Sequence, residues 1–205
     1  MDEITRRLLT REAMALAPAL YEALDDAVAE ARALRFAERK QPHLHSALRR
    51  AAFRDNLEVR GMPAGWSVGG NSRQSGQTIL QLEGAGITLR VLSESTVTTN
   101  GVPHAGLNGS RRAEWRTVSV PLPIFGDGVS EVASRALLLL MNSRSDEPTL
   151  RIVRTVSEGQ YRGSVQCDYS LSMTRLIDGF GHATFDTKEE DNFYAVLEQE
   201  ESDNV

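Results

Sequence analysis

Three arginines and two small polar residues fall within Gly106-Leu107-Asn108-Gly109-Ser110-Arg111-Arg112-Ala113-Glu114-Trp115-Arg116. Asn108 or Ser110 can cap a short helix here. The free backbone N–H groups of its first turn, with Arg111, Arg112 and Arg116 beside them, would make an anion-binding site, with phosphate the natural ligand. Gly69-Gly70-Asn71-Ser72-Arg73 is a second donor-rich loop that would add Arg73. Neither loop has P-loop or dinucleotide-fingerprint spacing, and the competing expectation is that arginine–carboxylate pairs simply hold these loops in place.

Other reactive side chains are scattered. Glu83, Glu94, Glu114 and Asp168 are the central carboxylates, and two of them converging would hold a divalent ion for nuclease chemistry. That chemistry usually sets a lysine beside a strand carboxylate, but Lys40 and Lys188 fall outside every expected strand. On a helix, His43 and His45 point about 200° apart and could share a metal only from an extended segment, so no metal is expected. His104 could serve as a base but has no identifiable acid or nucleophile with it. Cys167 sits on the apolar face of an expected strand, where a thiol is ordinarily inert, and no Gly-x-Ser-x-Gly elbow occurs. No cofactor signature is found, and the balance leans away from an enzyme without settling it.

Charge divides the chain. Residues 1–175 carry a net charge of +3 and residues 176–205 a net charge of −8, while the whole chain is −5. Arginines number 21, against two lysines; a GC-rich genome explains that skew better than a need for guanidinium chemistry does. The last twenty residues mix acids with Phe193, Tyr194, Val196 and Leu197, a composition suited to docking on a basic, partly apolar partner surface or to remaining solvated. No apolar run approaches a bilayer span and Met1-Asp2-Glu3 does not begin like a signal peptide, which predicts a cytoplasmic protein without membrane association. The lone Cys167 excludes an internal disulfide framework.

The elements that must position these residues follow from periodicity. Leu16, Leu20, Leu24, Val28, Ala31 and Leu34 recur at helical spacing, with Pro18 marking the start of the main helix or a kink near it. Pro42 opens a second helix whose stripe is Leu44, Ala47, Leu48 and Ala51, with Arg49, Arg50 and Arg54 pointing elsewhere. From Gly61 the period changes to two. Strands are expected at 66–68, 77–82, 87–92, 137–141, 149–156 and 165–173, with a hairpin turn at Glu83–Gly86 and an irregular stretch at 93–130. Helices first and strands afterwards predict an α+β domain: N-terminal helices (1–60) packed on one side of a mainly antiparallel β-sheet (61–175), followed by an acidic C-terminal tail (176–205).

Pro42-His43-Leu44-His45, Gly65-Trp66-Ser67-Val68-Gly69-Gly70-Asn71-Ser72-Arg73 and Val102–Arg112 resemble a group of actinobacterial proteins encoded beside XRE-type regulators with ImmA/IrrE-like metallopeptidase domains. The resemblance spans roughly residues 40–172. It implies a toxin–antitoxin or phage-defence module and a protein partner, and carries over no catalytic residues. The expectation is therefore a small interaction or regulatory protein binding a protein partner, with an arginine-based nucleic-acid or phosphate-binding protein, and a metal-dependent nuclease, as the alternatives.

Overall fold

A computed structural model describes residues 3–74, 76–107, 109, 112, 115, 121–123, 129–131 and 137–175. The expected residues Asn108, Ser110, Arg111, Glu114 and Arg116, and the whole tail with Phe193, Tyr194, Val196 and Leu197, lie outside the described residues.

Helix α1 runs Glu3–Arg32 and buries Leu9, Leu16, Leu20, Leu24 and Val28 on one stripe. It begins a full three turns before the stripe read from the sequence and stops short of Leu34. Pro18 is accommodated within it on the exposed side, where water can take the Met14 carbonyl that the missing N–H leaves. Helix α2, Pro42–Arg60, starts on its proline, whose fixed φ and absent donor suit the first helical turn. Leu57 O accepts from Gly61 N–H at its end.

The strands are β1 Trp66–Gly69, β2 Ile79–Leu82, β3 Ile87–Ser93, β4 Pro121–Pro123, β5 Val129–Glu131, β6 Leu137–Asn142, β7 Thr149–Thr155 and β8 Cys167–Ser172. Six of them form one sheet in the order β1-β2-β3-β6-β7-β8, and β4 pairs with β5. Every neighbouring pair of the large sheet is antiparallel except β3–β6, which is parallel with Arg90 opposite Leu138 and Ser93 opposite Met141. This is the mainly antiparallel α+β architecture that the periodicity implies. The β2–β3 link is a 3₁₀ turn at Glu83–Ala85 closed by left-handed Gly86.

Both helices cover one face. Leu20, Leu24 and Phe53 pack there against Leu80, Leu89, Leu139 and Ile152. The opposite face is smaller and is roofed by loops: Val102, Ala105, Trp115 and Val165 cover Leu138, Leu140 and Val153. Strand β6 therefore buries both faces, which is why Leu137–Met141 is uninterruptedly apolar. Burying each large side chain contributes about 1.5–3 kcal/mol.

The reading of 165–173 as one alternating strand needs correction. Tyr169, Leu171 and Met173 belong to the helix-covered face, whereas Val165 and Cys167 pack on the other. The register shifts between Arg154 and Thr155, with Arg154 opposite Tyr169 but Thr155 opposite Cys167. The extra residue, Asp168, reverses the facing of everything before it. Among the described residues no helix is long and apolar enough to cross a membrane.

Candidate functional site

Helix α2 contributes three arginines to the end of the sheet where the parallel pair β3 and β6 terminates. Two of them are structural, contrary to the expectation that they point away from the packed stripe. Arg49 is 3% exposed: its Nη1 donates to Ser143 O at 2.7 Å and its Nη2 pairs with Glu38. Arg54 is 9% exposed and donates through Nη1 to Gly69 O at 2.6 Å and Gln77 O at 2.7 Å. Backbone carbonyls from neighbouring loops bury these guanidiniums, and no helical period encodes that.

Arg50 differs. Half-buried, it donates to Ser46 Oγ at 2.8 Å and borders a cleft of about 370 Å³ at the notch where β2 begins beside β3. Burial pulls its guanidinium below the ordinary arginine value, because the charged form has lost water. Arg90 of β3, Gln74 and Gln77 of the β1–β2 link, and His104 and Trp115 from the long β3–β6 connection border the same cleft. No carboxylate is among its described lining residues.

Close backbone packing sets this geometry. The link carrying Gln74 and Gln77 presses on α2 at Gly76, where φ is +68° and a Cβ would lie 2.8 Å from Ala51 N and 2.9 Å from the Arg50 carbonyl carbon. Across the sheet, Gly159 lets three segments meet: a Cβ there would stand 2.4 Å from Ala105 Cβ and 3.1 Å from the Trp115 ring. Gly159 N–H donates to Arg112 O at 2.9 Å, Arg112 Nε returns a bond to Gly159 O at 3.0 Å, and Thr155 Oγ1 donates to Trp115 O at 2.7 Å. Ala105 N–H donates to Gln160 O at 3.1 Å, which anchors the segment carrying His104.

Of the two loops singled out from sequence, the one at 106–116 reaches the cleft through Trp115, whereas none of residues 69–73 lines it and the next residue, Gln74, does. Arg73 and Arg112 do not line it. Arg73 is exposed, with its backbone N–H on Asn71 Oδ1, and Arg112 clasps Gly159. Arg50 and Arg90, which do line it, are not singled out by the sequence, and His104 is weighed there only as a lone base, because a helix residue off the apolar stripe, a strand residue and an isolated loop histidine share no local pattern.

Glu83, Glu94 and Asp168 do not gather. Glu94 pairs with Arg151, Asp168 is held by two bonds from Arg154, one of them 2.8 Å from Nε, and Glu83 sits on the hairpin turn at the far end of β3. Burial tends to raise the Asp168 pKa, the Arg154 hydrogen bonds and charge lower it, and the net direction is down. His43 is exposed whereas His45 is buried with Nε2 2.6 Å from Phe36 O, so the two histidines serve different surroundings. Among the described residues no group of three or more His, Cys, Asp or Glu is placed to hold a metal ion. Cys167 is half-buried, and burial raises its thiol pKa despite the lowering influence of Arg151. Comparison with family profiles, curated proteins and solved structures finds no match for this chain.

Proposed function

We propose that this protein is a binding protein for a phosphate-bearing ligand, taken up in the α2/β3 cleft. The observation that carries the reading is the placing of the half-buried Arg50 and of Arg90 on one pocket that the amides of Gln74 and Gln77 and the imidazole of His104 also line. A partly dehydrated guanidinium gives up little further hydration when an anion arrives, and its fork geometry matches phosphate oxygens. The volume of about 370 Å³ suits a nucleotide-sized group. In this reading Arg50 and Arg90 hold the phosphate, while Gln74, Gln77 and His104 orient it. Arg49 and Arg54 fix the frame.

Calorimetric titration with inorganic pyrophosphate at low salt tests the reading. Binding is expected, and Arg50→Gln should weaken it about 10- to 100-fold, the loss of one charge-assisted hydrogen-bond pair. Arg73→Gln should leave it unchanged. Absence of pyrophosphate binding, or equal binding by Arg50→Gln with an unchanged melting temperature, refutes the assignment.

A further inference from the structure

Where α1 passes into α2, Arg32, Arg35, Arg39 and Lys40 follow one another closely in sequence, and all four are exposed. Among the described residues none of the four has a carboxylate partner, whereas Arg7, Arg11, Arg60, Arg151, Arg154 and Arg175 each have one. The turn's own carboxylate, Glu38, is taken by the buried Arg49. Phe36 and Leu44, in the same connection, are 51% and 44% exposed, and the Arg35 guanidinium lies 5.5 Å from the Phe36 ring centroid.

This exposure is held in place from beneath. His45 is 4% exposed, with Nε2 2.6 Å from Phe36 O, and Arg49 ties Glu38 to Ser143 O. Lys40 N–H donates to Ala37 O at 2.9 Å and Gln41 N–H to Glu38 O at 3.1 Å, which closes the backbone on itself. Two buried polar side chains thus spend their hydrogen bonds on the loop that keeps Phe36 in water. A single exposed apolar side chain is ordinary, but an aromatic ring and a leucine set among four unmatched cations on a braced turn make a composite surface.

From Arg35 to Leu44 every residue except Glu38 is exposed. A segment open to water at nearly every position is a projection, not the wall of a groove that a strand or peptide would enter. The receiving surface must then supply both anions for the cations and a yielding apolar phase for Phe36 and Leu44. A bilayer of anionic lipid does so, because its phosphates lie directly above the acyl boundary. We infer that the α1–α2 turn is a peripheral membrane contact, in which Arg32, Arg35, Arg39 and Lys40 meet lipid phosphates while Phe36 and Leu44 enter the headgroup layer. Such a contact requires neither a spanning helix nor a leader. It is independent of the α2/β3 cleft, so either assignment stands without the other.

Co-sedimentation of the full chain with vesicles of about 30% phosphatidylglycerol in phosphatidylcholine, at about 0.1 M salt, tests the contact. Binding is expected there and not to pure phosphatidylcholine. Each cation near such a surface contributes about fivefold in affinity, so Arg35→Gln combined with Arg39→Gln should weaken binding about 25-fold. Phe36→Ser should weaken it about fivefold, through lost burial of a half-exposed ring. Arg73→Gln, an exposed arginine on the β1–β2 link, should leave it unchanged. Every side chain replaced is exposed, so melting temperatures should match that of the parent. Soluble glycerol phosphate at the same phosphate concentration should not compete, since it offers no apolar phase. Failure to sediment with the anionic vesicles, or sedimentation that the double variant or Phe36→Ser leaves within about twofold, overturns the inference. So does binding of poly-glutamate or oligo-dT by this turn without binding of vesicles, which would assign it to an acidic protein or a nucleic acid.

Discussion

Replacing Arg54 with methionine should cost about 3 kcal/mol of folding stability and loosen one segment in particular. The side chain is almost fully buried and its Nη1 supplies hydrogen bonds to two backbone carbonyls, Gly69 O and Gln77 O, at the two ends of the β1–β2 link. A bond from a charged donor contributes about 1.5–3 kcal/mol, so the pair contributes about 3–6. The Glu58 ion pair at 2.7 Å adds about 0.5 kcal/mol or less, because that carboxylate is 46% exposed and lies one helical turn away. Against these stands Nε, which is buried and finds no partner among the described residues, an unfavourable group that methionine removes at a gain of about 1–3 kcal/mol. The difference is about 3 kcal/mol. Urea unfolding followed by tryptophan fluorescence measures it, and amide hydrogen exchange locates it: protection should fall at residues 70–78 before it falls in β6 or β7. Arg73→Met, on the same link but exposed, is the control and should change stability by less than about 0.5 kcal/mol. A loss below about 1 kcal/mol for Arg54→Met, or an exchange increase spread evenly over the sheet, would refute the reasoning.

Two further predictions concern titrating groups. Because the folded Asp168 pKa is depressed below its unfolded value near 3.9, its contribution is present above that value and is lost as pH falls through the lower folded one. Asp168→Asn should accordingly flatten the decline in stability below about pH 4, measured as urea midpoints from pH 2 to 7; an unchanged acid limb contradicts the assignment. Cys167, with its thiol pushed up by burial, should react with iodoacetamide at pH 7.5 more than tenfold more slowly than free cysteine, and reaction at the free-cysteine rate would show the burial to be misassigned.

Much of the architecture was legible from local chemistry, because helix and strand differ in the period of their apolar residues. Pro42 marked the start of α2 and the Glu83–Gly86 turn marked a hairpin. The all-apolar run in β6 signalled a strand buried on both faces. Non-local facts were not legible. Nothing in Ile87–Ser93 or Leu137–Asn142 states that the two pair in parallel, since that register is set by what closes around them. Arg49 and Arg54 read as surface residues because the carbonyls that bury them belong to Ser143, Gly69 and Gln77. The one-residue offset at Asp168 defeated strict alternation in the last strand. The cleft was half visible. Gly-rich loops advertise N–H donors, but the cations that border the cleft arise from a helix, a strand and a third loop, and only the folded chain brings Arg50, Arg90 and His104 together.

Helix α1 has a consequence for how the chain is made. Its Trp66 partner, Glu12, holds the β1 side of the sheet at 3.2 Å; Tyr21 donates to Met173 O at 2.8 Å and accepts from Leu150 N–H at 3.3 Å; Asp25 receives two bonds from Arg175. One helix thus ties the first strand of the sheet to the segment that follows the last. The ribosome delivers α1 first and its final partners, Leu150, Met173 and Arg175, more than a hundred residues later. Until β6 emerges, the stripe of Leu9, Leu16, Leu20 and Leu24 has only α2 and the β1–β3 meander to lie against, and β6 then adds Leu137, Leu139 and Met141. The core of the nascent chain therefore stays incomplete until residue 175 clears the exit tunnel, and cysteine cross-linking of arrested nascent chains between positions 21 and 173 would time the closure.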